Sequence, residues 1–140
     1  MVPGYWENRK GTYNAPIWFR SVDGPRTASI SRVNLFNSSY VYFDGLKIEE
    51  TGGDILHCEQ CNHVLVRDSV VNSTQRGHEG MKVNQSQYIY LEGNDISTAD
   101  DNAVDFVAVQ YGHLLRNRIH DTTEGWCAYV KGGSAYIDVI

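Results

Sequence analysis

One column of residues sets the frame of this chain. Tyr40, His63, Tyr88, Tyr111 and Tyr136 recur at intervals of 23, 25, 23 and 25 residues, and other columns keep step with them. One residue on lie Val41, Val64, Ile89, Gly112 and Ile137. Three on lie Phe43, Val66, Leu91, Leu114 and Val139, and eight on lie Ile48, Val71, Ile96 and Ile119. Two residues before the column comes a run of mostly small side chains: Ser38, Cys61, Ser86, Val109 and Ser134. A period of this length means stacked units, each burying its apolar face against the next.

The units are built from short alternating segments rich in Val, Ile, Tyr and Phe, which argues for strands. No apolar period of 3.6 runs long enough for a helix. A leucine-rich repeat has the same length but needs a leucine ladder that is missing, and a propeller blade needs about 40 residues or more. The remaining solution is all-β: a right-handed single-stranded parallel β-helix with one coil per repeat. Asn94 and Asn117 match each other near the end of the coil, where Asn could take the left-handed conformation a sharp corner needs. Residues 33–140 are expected to form these coils. Residues 1–32, broken by Gly4, Gly11, Asn14-Ala-Pro16 and Asp23-Gly-Pro25, read as an irregular lead-in with short strands at Ile17–Phe19 and Ala28–Ile30. Tyr136 to Ile140 stop in mid-strand, so the last coil is expected to be incomplete. Further coils of a longer chain, or another subunit, would cover that open end.

Composition bounds the partners. In 140 residues with a formal net charge of −5, no cluster of Lys and Arg favours nucleic acid or an anionic membrane. Apolar runs are too short to span a bilayer. The three cysteines do not make an even disulfide framework. Cys58-Glu-Gln-Cys61, flanked by His57 and His63, resembles a redox or zinc half-site. Residues three apart in an extended strand, however, lie roughly 10 Å apart at Cα, too far for a disulfide. Buried, turn-packing cysteines are the expectation.

Alternation separates core from surface in the strand that precedes the Tyr column. Val33, Leu35, Leu56, Cys58, Met81, Val83, Val104 and Phe106 should point inward, leaving Asn34, His57, Lys82 and Asp105 stacked outward. Parallel coils sit roughly 4.8 Å apart, so Lys82 and Asp105 would be neighbours in a solvated pair worth about 0–1 kcal/mol. Acidic residues gather at the turn into the same strand: Asp54, Glu79, Asp100, Asp101 and Glu124. Converging carboxylates could bind Ca²⁺, which takes oxygen ligands, or act as the acid and base of a glycosidase. Turn chemistry alone also favours Asp. Lys131 precedes two glycines that let a ligand approach, His57 lies on the outward column, and Trp126 offers a flat face for a sugar ring. The Tyr column itself reads as a packing ladder.

The phrases YVYFDGLKI, GMKVNQSQYIYLEGNDI, DDNAVDF and YVKGGSAYI resemble the coils of the right-handed parallel β-helix proteins of the pectate-lyase-like superfamily. That resemblance implies a carbohydrate-active protein, secreted or at the cell surface, whose partner is a polysaccharide. It implies metal-assisted β-elimination on an acidic polysaccharide, with Ca²⁺ on Asp100, Asp101 and Asp105 and with Lys131 or Lys82 removing the proton beside the uronate carboxylate. The polygalacturonase branch is also similar, Glu79 before Gly80 and the Asp100-Asp101 pair standing for its carboxylates, and implies hydrolysis instead. The chain lacks that branch's Asn-Thr-Asp-Gly, Gly-His-Gly and Arg-Ile-Lys motifs, as well as the arginine-proline motif of the commonest pectate lyases, so both chemistries stay open. A non-catalytic glycan-binding or cell-surface module is the third reading, since one fold hosts many roles.

Overall fold

The computed structural model describes residues 4–50, 53–73, 78–97 and 99–140. It is a parallel β-solenoid of about 5 turns, with no helix among the described residues. The strands in chain order are β1 (Gly4–Glu7), β2 (Ile17–Arg20), β3 (Ser29–Ile30), β4 (Val33–Phe36), β5 (Ser39–Asp44), β6 (Lys47–Glu50), β7 (Leu56–Glu59), β8 (Asn62–Arg67) and β9 (Val70–Ser73). They continue as β10 (Met81–Asn84), β11 (Gln87–Glu92), β12 (Asp95–Ser97), β13 (Val104–Val107), β14 (Gln110–Leu115), β15 (Arg118–His120), β16 (Ala128–Lys131) and β17 (Ala135–Val139). Every third strand pairs with the next. The first sheet runs β1-β4-β7-β10-β13-β16, the second β2-β5-β8-β11-β14-β17 and the third β3-β6-β9-β12-β15.

The expected register holds, pairing Val33 with Leu56, Leu56 with Met81 and Met81 with Val104 in the first sheet. Inward residues of all three sheets make one core in which Leu35, Phe43, Ile48, Met81, Ile96 and Phe106 are sealed from solvent. Gly112 interrupts the second sheet's apolar column for a steric reason. A Cβ there would meet Phe106 Cε2 at 2.7 Å and Ile137 Cδ1 at 2.9 Å.

Three corners per coil take the left-handed conformation, and their occupants differ from the expectation. Asn37, Gln60, Gln85 and Ala108 turn the first corner, and the Tyr column itself turns the second, with φ of 51° at Tyr40 and 58° at Tyr111. Gly45, Asp68, Gly93 and Arg116 turn the third. The ring ladder stacks across the second corner with centroid spacings of 4.4, 4.5, 4.9 and 4.8 Å, which offsets part of the backbone cost. Asn94 and Asn117 are not corner residues. They sit one position later and form an internal ladder: Asn94 Nδ2 donates to Val66 O at 2.9 Å, and Asn117 Nδ2 donates to Leu91 O at 2.7 Å. The small column is a ladder too, in which the Ser86 hydroxyl donates to Asn84 O and accepts from Cys61 N–H at 2.9 Å.

Two further expectations change. Cys58 and Cys61 are joined by a disulfide, with Cα atoms 6.0 Å apart. The extended-chain estimate fails because Gln60 at φ 54° folds the chain back between them. The lead-in also belongs to the solenoid. Its strands β1, β2 and β3 pair in parallel with β4, β5 and β6, and Trp6 stacks on Phe19 at 4.7 Å. Turns inserted between these strands stretch the coil and hide it from the repeat frame.

Candidate functional site

The outer face of the first sheet collects the polar side chains. Register stacks Asn34, His57, Lys82, Asp105 and Tyr129 in one outward row, and Phe36, Glu59, Asn84, Val107 and Lys131 in the next. The turn into β10 adds Glu79 beside Asp54 of the preceding coil. That turn packs closely enough that a Cβ on Gly80 would lie 2.6 Å from Ala103 O.

These groups form a line of alternating charge along the solenoid. Lys82 Nζ is 2.8 Å from Glu79 Oε1 and 3.9 Å from Asp105 Oδ2, and Lys131 Nζ is 3.1 Å from the same Asp105 oxygen. Lys131 also lies 4.6 Å over the Tyr129 ring. Asp105, expected on an exposed surface, is fully buried. The Lys131 ammonium pairs with it by charge, and neither Asp105 carboxylate oxygen has a hydrogen-bond partner among the described residues. Burial pushes the Asp105 carboxyl up, Lys131 opposes this and nearby Glu79 adds to it.

Asp54 and Glu79 behave as one acid pair. Burial, then the hydrogen bond and the charge of Glu79, push Asp54 up to about 6. Burial works to raise Glu79 as well, but hydrogen bonds from Lys82 and Asp54 outweigh it and hold Glu79 down at about 2. One proton is therefore shared between the two carboxyls over a wide range. His57, partly exposed, is held below its ordinary value, first by burial and then by Lys82. Its Nε2 lies 3.1 Å from the Asn84 side-chain amide.

Of the residues singled out in the sequence, Glu79, Lys82, Asp105, Lys131 and His57 share this face. Asp100, Asp101 and Trp126 do not join them. Asp100 accepts a hydrogen bond from Thr123 Oγ1 at 2.7 Å in the turn before β13, and Asp101 is exposed. Trp126 stands out from the turn before β16, 68% exposed, its backbone N–H held by Asn102. Among the described residues, the acids and histidines whose ligand atoms gather within 4.8 Å of one another are Asp54, His78 and Glu79. The trio expected to bind calcium is not that group, because Asp105 looks onto two ammonium groups while its proposed co-ligands face elsewhere. Sequence reasoning placed Asp54 in the acidic turn cluster without singling it out, and missed Asn84 and Tyr129. Asn84 follows Lys82 by two residues on the same face, a visible signal. Tyr129 was hidden because the turn between β16 and β17 is one residue longer than its counterparts, so counting back from Tyr136 by the usual six residues lands on Val130.

The fold and this face define a parallel β-solenoid carrying an ion-paired polar surface on its first sheet. Comparison with family models, with curated proteins and with solved structures finds no match to the chain.

Proposed function

We propose that this is a carbohydrate-active β-helix protein of the pectate-lyase-like kind, which binds an acidic polysaccharide on the outer face of its first sheet and cleaves it by β-elimination. The observation that supports this most is the order of exposure. The side chains of Lys131 and Lys82 are 37% and 27% exposed, against 18% for Asp54, 9% for Glu79 and 0% for Asp105. Although the chain is acidic overall, an arriving ligand meets ammonium groups, Tyr129 and His57 first, with Asp54, Glu79 and Asp105 sunk beneath them. Such a surface suits the carboxylates of a uronate chain, with an aromatic ring for the sugar. The resemblance in the sequence points the same way. The Cys58–Cys61 disulfide suits an oxidising compartment and hence secretion or cell-surface exposure.

In elimination, cations at the uronate carboxylate make the neighbouring C–H more acidic, and a basic group removes its proton. The oxygen donors of Asp100, Asp101 and Asp105 do not fit a calcium ion as arranged, so no step is routed through one. Hydrolysis is favoured by one feature, the pairing of Asp54, raised to about 6, with Glu79, held at about 2. Oxygens of those two carboxyls lie within 4.8 Å of each other, however, whereas a glycosidase pair stands at least about 5 Å apart with the sugar between.

Incubation with polygalacturonate or alginate tests the proposal. Elimination yields the ultraviolet absorbance of an unsaturated uronate, and hydrolysis yields reducing ends without it. Retention of either polymer with no new ends makes the protein a binding module and refutes the cleavage. Loss of turnover in chelator, restored by Ca²⁺, would reinstate the metal-assisted route.

A further inference from the structure

Resting on that reading, we infer that His57 is the base that takes the proton in the elimination, and that Lys82 and Lys131 act together as the seat of the substrate carboxylate. Both ammonium groups are committed to carboxylates, Lys82 to Glu79 at 2.8 Å and Lys131 to Asp105 at 3.1 Å. Because both also converge on one oxygen of Asp105, at 3.1 and 3.9 Å, they stand no more than about 7 Å apart, a span that the two oxygens of one external carboxylate can bridge with ordinary hydrogen bonds. Asp105 is then a positioning residue, the buried floor that keeps the two cations side by side.

His57 is the register partner of Lys82 on the neighbouring strand, about 4.8 Å away at the backbone. The row runs His57, Lys82, Asp105, so a uronate whose carboxylate is seated on the two lysines meets His57 when its adjacent C–H is directed back along the row past Lys82. Asn84 fixes the imidazole through Nε2. As placed, the Asn84 amide leaves Oδ1 buried without a donor. The two orientations of the amide have the same shape, and with the carbonyl turned to His57 it accepts Nε2–H and leaves Nδ1 as the nitrogen free to take a proton. The charged groups around the ring are Glu59 on its own strand and Lys82 and Glu79 from the next coil, with Asn34 facing it from β4. Burial and Lys82 favour the neutral ring over the two glutamates, so an unprotonated nitrogen is present at neutral pH.

In the step itself the His57 lone pair removes the proton from the carbon that bears the carboxylate. The released electron pair forms the new C=C bond, the C–O bond to the departing sugar breaks, and water returns a proton to the leaving oxygen. No redox partner is needed.

The experiment compares the wild-type chain with His57→Gln and Lys131→Ala on polygalacturonate and alginate, following unsaturated product against pH and checking each variant's fold by thermal melting. His57→Gln is expected to lower kcat about 10²- to 10⁴-fold with KM little changed, whereas Lys131→Ala is expected mainly to raise KM. In the wild type, kcat/KM should fall on the acid side with a midpoint below the ordinary histidine value of 6.5. Retained kcat in His57→Gln, or a kcat collapse at constant KM in Lys131→Ala, would overturn the inference while leaving the elimination reading in place. A wild-type chain that turns over neither polymer would sink that reading and the base with it.

Discussion

Replacing Asp54 by Asn should abolish a pH-dependent loss of stability that the wild-type chain carries above pH 4. The carboxyl of Asp54 moves from its ordinary 3.8 to about 6 on folding, so the folded chain binds its proton more tightly than the unfolded one. That contribution is fully present below about pH 3.8 and is lost as pH rises to about 6, and the displacement corresponds to about 3 kcal/mol. Glu79 acts in the opposite sense. Its carboxyl falls from 4.5 to about 2, so its contribution grows as pH rises from about 2 to about 4.5 and then stays. Together they place the maximum of this pair's own contribution near pH 4. An asparagine at position 54 has the shape of the protonated acid, donates to Glu79 and has no proton to lose. Asp95 and His120, which pair at 2.8 Å, titrate alike in both proteins and cancel in the difference. Urea denaturation at fixed ionic strength between pH 4 and pH 7 should therefore show Asp54→Asn gaining on the wild type by about 2 kcal/mol, most of that displacement. A difference constant to within about 0.5 kcal/mol across that range would refute the shared proton.

Other changes probe the scaffold. Gly112→Ala forces a methyl against Phe106 and Ile137 and should cost about 1–3 kcal/mol, read as a lower urea midpoint at unchanged slope. Asn94→Ala takes the partners from Val66 O and Ser69 N–H inside the ladder and should cost about 3 kcal/mol by the same assay. Reducing the Cys58–Cys61 disulfide frees only a short loop, so thermal melting with and without reductant should differ by about 2 kcal/mol.

The repeat frame carried most of the fold because the solenoid's core is a set of columns, and columns survive in sequence as equal intervals. Val33, Leu56, Met81 and Val104 could be assigned inward from alternation alone, since a slip of one residue would bury Lys82 and expose Met81. The frame failed where insertions broke the interval. The first coil carries extra turns between β1 and β3, and Tyr129 lies one residue out of step with Asp105. Corners were misread for a different reason. Propensity favours Asn at positive φ, but the second corner belongs to tyrosines whose rings stack on those of adjacent coils, and Asn94 is more useful inside, where its amide can pair with carbonyl and N–H groups at once.

The site shows where one-dimensional reading stops. Alternation correctly put Asp105 on the outward row, yet outward is not the same as exposed. Lys82 and Lys131 reach over it from the coils on either side, and two long side chains closing over a short one leave no signature in the spacing of residues. The same covering reverses the electrostatic meaning of the face. Counted along the sequence, Asp54, Glu79 and Asp105 outnumber two lysines and suggest a site for a cation. Ordered by depth, Lys82 and Lys131 lie outside Asp54, Glu79 and Asp105, which are their counter-charges, so on the proposed reading a ligand reaches the ammonium groups before those three acids. Replacing Asp105 by Asn should then weaken retention of an anionic polymer by loosening Lys131, even though it removes a negative charge from the site. If Asp105 instead held a divalent cation for the ligand, the same substitution would abolish the effect of added Ca²⁺ on binding, and retention measured with and without the ion separates the two cases.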